Sequence, residues 1–285
     1  MPLGGRVGAA SRVERDVRAA AQPRTLVEEI TRAARRPGAA RALVLDLDGT
    51  LAPIVAAPRG ACVPPSVLHT LSRLGRHGWR IAIVTGRPAA AARRLVPLPG
   101  VTIFGSHGIE RGDAARVSRP LRAAARRADS IAREARGLVR KFRGVTIERK
   151  PFGCAFHHRA LHGPARASFL RELRAWLAER DTTGLELLDG KRVVELRPAG
   201  RGKGSIVRLW PAARAVRNGD RSLVAIGDDL ADEELFAALR GRGLTVKVGA
   251  AGEPTIARRR VAGTAAVARL LAALDAAADE ERRDG

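Results

Sequence analysis

The chain has 285 residues, 45% hydrophobic and 28% charged, which is the texture of a globular protein large enough for two domains or one big one. The formal charge is +23, but only five of the 52 basic residues are Lys and the Arg residues are scattered among Ala. With 3% aromatic residues and no Tyr there is no stacking platform for single strands, so no specific nucleic-acid partner is expected. No apolar run approaches a membrane span, and the first residues lack a continuous signal-peptide core. Cys62 and Cys154 show neither a C-x-x-C nor zinc spacing. A cytoplasmic protein with reduced structural thiols and no membrane partner is expected.

Residues 1–38 alternate Arg and Ala and read as a loosely ordered tail, with a short helix conceivable from Val27 to Ala34. The stretch from Arg41 to Leu51, R-A-L-V-L-D-L-D-G-T-L, follows. Ala42 to Leu45 read as a strand buried on both faces. Asp46 and Asp48 are two apart, so in an extended chain they face one cavity at the strand's carboxyl end. Two acids that close repel unless a proton or cation lies between them, and a bound Mg²⁺ resolves the conflict.

Pro64 and Pro65 open a helix to Arg76, and Arg80 to Val84 form a second buried strand. That strand ends in Thr85-Gly86-Arg87, where a hydroxyl and free backbone N–H groups suit a phosphate oxygen. Val101 to Phe104 read as a third strand, leading into G-S-H-G-I-E around His107.

The texture changes between residues 112 and 198. A long Arg/Ala helix is expected from Pro120 to Phe142, then strands at Val145 to Arg149 and Cys154 to Arg159. A second helix starts at Pro164, and strands at Leu185 to Leu188 and Arg192 to Leu196 flank an Asp189-Gly190 hairpin turn. Helix, hairpin, helix, hairpin is a small α+β unit, 112–198, inserted as a cap into a core made of 39–111 and 199–278. Pro198 to Gly204 read as a hinge that leaves Lys203 at the start of a helix ending near Leu209. Leu223 to Ile226 form a strand ending in the acid-rich run Asp228, Asp229, Asp232. Leu244 to Val248 are a fifth strand, and a closing helix from Val261 to Leu274 precedes a charged tail. Two acidic strand ends and one Lys after the insert favour a metal–phosphate site. The fold class is α/β, a Rossmann-like parallel-sheet core with an inserted α+β cap.

The order D-L-D-G-T, V-T-G-R, Lys after a large cap, then G-D-D resembles the haloacid dehalogenase-like hydrolases, most of which are phosphatases. Within them the chain resembles the trehalose-6-phosphate phosphatase family. The blocks are G-S-H-G-I-E, E-R-K followed by H-H-R, G-K-R-V-V-E-L-R-P, K-G and G-D-D-L-A-D-E-E-L-F, between about Ala42 and Leu274.

By that resemblance Asp46 is the nucleophile and Asp48 the acid/base. Mg²⁺ is held by Asp46, the Asp48 carbonyl and Asp228, with Asp229 or Asp232 in support. Thr85 and Lys203 grip the phosphoryl oxygens, and Gly86, Arg87 and His107 also bind the substrate. Glu148, Lys150, Arg159, Lys191 and Glu195 match positions that hold the sugar. The family pattern has Tyr where His158 stands and Thr where Ala231 stands. The expected substrate is a small-molecule sugar phosphate and the expected assembly a monomer. Sucrose-6-phosphate and mannosyl-3-phosphoglycerate are the sibling specificities, and a non-catalytic basic binding protein on the same fold is the alternative of another class.

Overall fold

A computed structural model describes residues 23–55, 60–111, 118–190, 192–216 and 220–284. The first half of the core runs α1 (Pro23–Ala34), β1 (Ala42–Leu45), α2 (Pro65–Arg76), β2 (Arg80–Val84), α3 (Ala89–Leu95), β3 (Thr102–Gly105) and β4 (Glu110–Arg111). The insert runs α4 (Arg119–Glu134), α5 (Arg136–Val139), β5 (Thr146–Lys150), β6 (Gly153–His157), α6 (Gly163–Ala178), β7 (Leu185–Gly190) and β8 (Val193–Pro198). The chain returns through a single 3₁₀ turn at Lys203–Ser205 into α7 (Ile206–Leu209) and α8 (Pro211–Arg214). It finishes with β9 (Leu223–Gly227), α9 (Leu230–Ala238), β10 (Leu244–Val248), β11 (Arg259–Val261) and α10 (Thr264–Asp284).

The large sheet has the order β11-β10-β9-β1-β2-β3-β4 and is parallel except for β4. β1 sits between β2 and β9 and is buried throughout, which is why Ala42 to Leu45 read as an unbroken apolar run. Its side chains alternate between two cores. Leu43 and Leu45 pack with α1, α2 and α10, whereas Ala42 and Val44 pack with α7, α8 and α9. Asp46 continues the parity of Ala42 and Val44, and so emerges on the α9 side. The insert forms its own antiparallel sheet, β5-β6-β8-β7, over a separate core with Phe156, Phe169 and Leu173.

Three expectations are corrected. The stretch expected as a loose tail contains α1 within the described residues: Leu26 and Ile30 are fully buried and Ala33 and Ala34 nearly so, at helical spacing. Residues 1–22 lie outside the described part. The charged tail expected after Leu274 continues α10 to Asp284, because Asp275 and Asp279 take ion pairs from Arg73 on α2. The hairpin turn expected at Asp189-Gly190 lies two residues later. Gly190 pairs with Val193, and Arg192 supplies the left-handed conformation at φ 63°.

Candidate active site

Four carboxyl ends of the core converge. Asp46 follows β1, where its N–H donates to the Ile226 carbonyl of β9. Thr85 follows β2, His107 follows β3 and Asp228 follows β9. Lys203 comes to them from the linker after the insert, with Nζ 2.6 Å from Asp46 Oδ1 and 2.8 Å from Asp232 Oδ1. This ammonium is 3% exposed. Burial alone lowers a lysine, but the two carboxylates outweigh it and hold Lys203 well above its ordinary value.

Asp46, Asp228 and Asp232 are buried and each offers an oxygen within 4.8 Å of the others. Burial raises the Asp46 carboxyl well above its usual range, Lys203 opposes that, and Asp232 and Asp228 add to it. Lys203 reaches two of these three crowded carboxylates, and a hard divalent cation with oxygen ligands offsets their mutual repulsion. The donor set fits Mg²⁺. Asp48 is expected to ligate through its backbone carbonyl, which leaves its side chain free for another role, and Asp229 stands outside this trio. The Asp48 carboxylate is held by Arg87 through two bonds of 2.6 Å. Asp229 caps α9, its Oδ1 accepting from the Leu230 N–H at 2.8 Å. Asp232 shapes the loop as well, since its Oδ2 accepts the N–H groups of Asp228 and Asp229 at 3.1 Å.

Gly49 makes the approach of the two acidic loops possible. It has φ 86°, and a Cβ there would lie 2.3 Å from Asp228 Oδ2. Gly49→Ala is expected to cost about 1–2 kcal/mol through the left-handed backbone alone. It should also displace Asp228, so that added Mg²⁺ raises the unfolding temperature of the variant less than that of the wild type. Urea and thermal denaturation with and without Mg²⁺ measure both effects.

The Thr85 N–H donates to the Phe104 carbonyl, while its hydroxyl accepts from the Arg87 N–H at 3.1 Å. Ser106 and His107 both have positive φ, 48° and 58°. This strained turn is held by Glu110, which accepts from the Ser106 hydroxyl at 2.6 Å and the Ala89 N–H at 2.7 Å. It carries the His107 ring against Gly86, where a Cβ would meet His107 Nε2 at 2.9 Å.

The insert closes over these groups. Glu195 on β8 reaches His107 Nε2 at 3.0 Å and Lys150 Nζ at 2.8 Å. Burial pushes Glu195 upward, but Lys150 and His107 outweigh it and hold the carboxyl below the usual range. Glu148 and Lys150 are two apart on β5 and face the same cleft, as their spacing requires. His157 donates to Glu148 at 2.9 Å and lowers its carboxyl against the opposing effect of burial. Arg159 spans from the insert to the Val55 carbonyl at 2.9 Å. The resulting cleft of about 190 Å³ brings Asp46, Asp48, Thr85, Gly86, Arg87 and His107 together with Glu148, Lys150, Arg159, Glu195 and Lys203. Lys191 lies outside the described residues.

Sequence reasoning missed His157, Glu110 and Lys247. The last is buried, with Nζ on the Asp228 carbonyl at 2.6 Å. Lys247 is recognised only by its approach to Asp228, 19 positions away, whereas Glu110 reaches Ser106 four residues back and His157 stands across a hairpin from Glu148, so both were open to that reading. His158 is a core residue of the insert, 1% exposed and tilted against Phe169 at 5.8 Å, and burial lowers its imidazole. The departure from Tyr there leaves the cleft wall untouched. Ala231 does line the cleft.

A parallel sheet with acids at two neighbouring strand ends, Thr at a third and Lys returning after an inserted α+β lobe has the fold of solved haloacid dehalogenase-like hydrolases, one of which superposes with a TM-score of 0.53 at 17% identity. The family model described as trehalose-phosphatase matches residues 44–265, and the chain belongs to that family. A probable trehalose-phosphate phosphatase of Sinorhizobium fredii is 35% identical over 213 residues, covering 73% of this chain and 77% of that protein. The trehalose-phosphate phosphatase of Mycobacterium bovis is 33% identical over 250 residues, covering 84% of this chain. The chain spans 58% of that mycobacterial relative's length. A solved trehalose-6-phosphate phosphatase related protein superposes with a TM-score of 0.68 at 29% identity, covering 84% of this chain and 99% of its own. Among the described residues no helix is long and apolar enough to cross a membrane.

Proposed function

We propose that the chain hydrolyses trehalose 6-phosphate to trehalose and phosphate through a phosphorylated Asp46. The observation that carries this reading is the meeting of two sets of groups in one cleft. Asp46, Thr85 and Lys203 supply phosphoryl chemistry, and the insert's Glu148, Lys150, Arg159 and Glu195 supply donors and acceptors for sugar hydroxyls.

In the first step a carboxylate oxygen of Asp46 forms a bond to phosphorus as the bond to the sugar oxygen breaks. Asp48 gives the leaving oxygen a proton. In the second step Asp48 takes a proton from water as that water attacks the phosphorus and releases Asp46 and phosphate. Asp48 can do this only after it leaves at least one of its two bonds to Arg87. Lys203 offsets charge on the transferring oxygens, and the Thr85 hydroxyl orients them. Asp46, Asp228 and Asp232 would hold Mg²⁺, which supplies electrostatic stabilisation of the phosphoryl charge. The closed insert excludes bulk water.

The test is phosphate release from a panel of sugar phosphates with and without Mg²⁺. Trehalose 6-phosphate is expected to be the best substrate, with turnover lost when the cation is chelated. Equal or better turnover of sucrose-6-phosphate or mannosyl-3-phosphoglycerate would replace this specificity with a sibling one. Glu195→Gln is expected to raise KM for the sugar phosphate by about tenfold, because it weakens the grip on both Lys150 and His107. Steady-state kinetics of that variant check it.

A further inference from the structure

Arg197 stands on β8 immediately before the linker that returns the chain to the core, and it is 4% exposed. Its Nε donates to Glu186 on β7 of the insert at 2.8 Å. Its Nη2 donates to Glu234 on α9 of the core. Nη1 is buried and has no partner among the described residues. Glu186 also turns to the linker, accepting the Gly200 N–H at 3.3 Å. Glu234 lies over Gly202, where a Cβ would come within 1.7 Å of Glu234 Oε2. The backbone of Gly202 is extended, with φ −146°, so the missing side chain serves the carboxylate above it and no special turn. Lys203 follows directly, and Asp232, its partner, is two residues before Glu234 on the same helix.

We propose that Arg197 is a positioning residue: a clamp between Glu186 and Glu234 that fixes the hinge and thereby sets where the insert rests over the sugar. The consequence for substrate choice rests on the function proposed above. The guanidinium fork reaches two carboxylates on opposite sides at once, one from each body. His107–Glu195 and Arg159–Val55 tie the insert to the core at the cleft itself. The clamp acts at the pivot, away from the substrate, and a small error of angle there is magnified at the cleft mouth.

The experiment uses the full chain with Arg197→Met, Arg197→Lys and Gly202→Ala. Two substrates are compared, trehalose 6-phosphate and p-nitrophenyl phosphate, which carries no sugar for the insert to hold. Amide hydrogen exchange of residues 199–205 is read in parallel. Arg197→Met is expected to raise KM for trehalose 6-phosphate by about tenfold or more and to speed exchange in the linker. Its kcat/KM for p-nitrophenyl phosphate should stay within about twofold. Gly202→Ala should do the same by displacing the Glu234 carboxylate, with a backbone that tolerates Ala. Arg197→Lys should not rescue, because one ammonium cannot keep both carboxylates. Unchanged exchange in Arg197→Met and Gly202→Ala overturns the clamp, as does an equal loss on both substrates. If the wild type shows no preference for trehalose 6-phosphate while exchange still rises, the clamp stands and the substrate reading falls.

Discussion

Asp46→Asn is expected to abolish phosphate release, a loss of at least about 10⁴-fold, while the fold survives. The amide cannot form the acyl phosphate, yet it keeps the shape of the carboxylate and one oxygen for Lys203 Nζ, now 2.6 Å away. Asp46 is buried beside Asp228 and Asp232, and its carboxyl is pushed well above its ordinary range by burial first. A neutral side chain there removes one of three crowded charges. Without Mg²⁺ the variant should therefore unfold at the same temperature as the wild type or higher. Phosphate-release assays and thermal unfolding in chelator measure the two halves, and retained turnover would overturn the assignment of the nucleophile.

Lys203→Met should destabilise by about 3–5 kcal/mol as well as inactivate, because the methionine leaves Asp46 and Asp232 buried with no counter-charge. The ammonium lies where the linker, β1 and α9 meet, so its loss opposes folding itself. Pairing Lys203→Met with Asp232→Asn should recover a large part of the stability and none of the activity. Urea denaturation of the single and double variants gives the coupling. A single variant as stable as the wild type would show that solvent reaches these carboxylates and that the site is looser than its geometry implies.

Much of this arrangement is legible in the sequence because its physics is local. Ala42 to Leu45 read as a strand covered on both faces, as they are, and the two-residue step to Asp46 and Asp48 gives the direction. The first turn of α1, ahead of the Val27 to Ala34 helix, and the last turns of α10 escaped for opposite reasons. In α1 the buried stripe of Leu26, Ile30, Ala33 and Ala34 is half alanine, a weak signal in an Arg/Ala background. In α10 the last turns carry acids that read as a solvated tail, although Asp275 and Asp279 are held by Arg73 more than 200 positions earlier. The Asp189-Gly190 pair is a strong hairpin signal, but pairing of β7 with β8 through Gly190 and Val193 overrides it. In the site, the resemblance pointed to Asp46, Thr85, Lys203 and Asp228 because each ends or follows a recognisable element. The grip of Arg87 on Asp48 and of Glu234 on Arg197 depends on tertiary approach and has no local mark.

The central strand has a history that the finished sheet conceals. β1 finds one neighbour, β2, within forty residues, but its other edge waits for β9, with Ala42 opposite Leu223. Between them the insert's four strands close among themselves within residues 146–198. During synthesis the insert can therefore collapse first, on contacts of short range, while half of the core stands with an open, wholly apolar edge. The nascent enzyme is most exposed to aggregation in the interval before Leu223–Gly227 leaves the ribosome, and a chain truncated ahead of that strand would carry a finished lid over an unfinished floor.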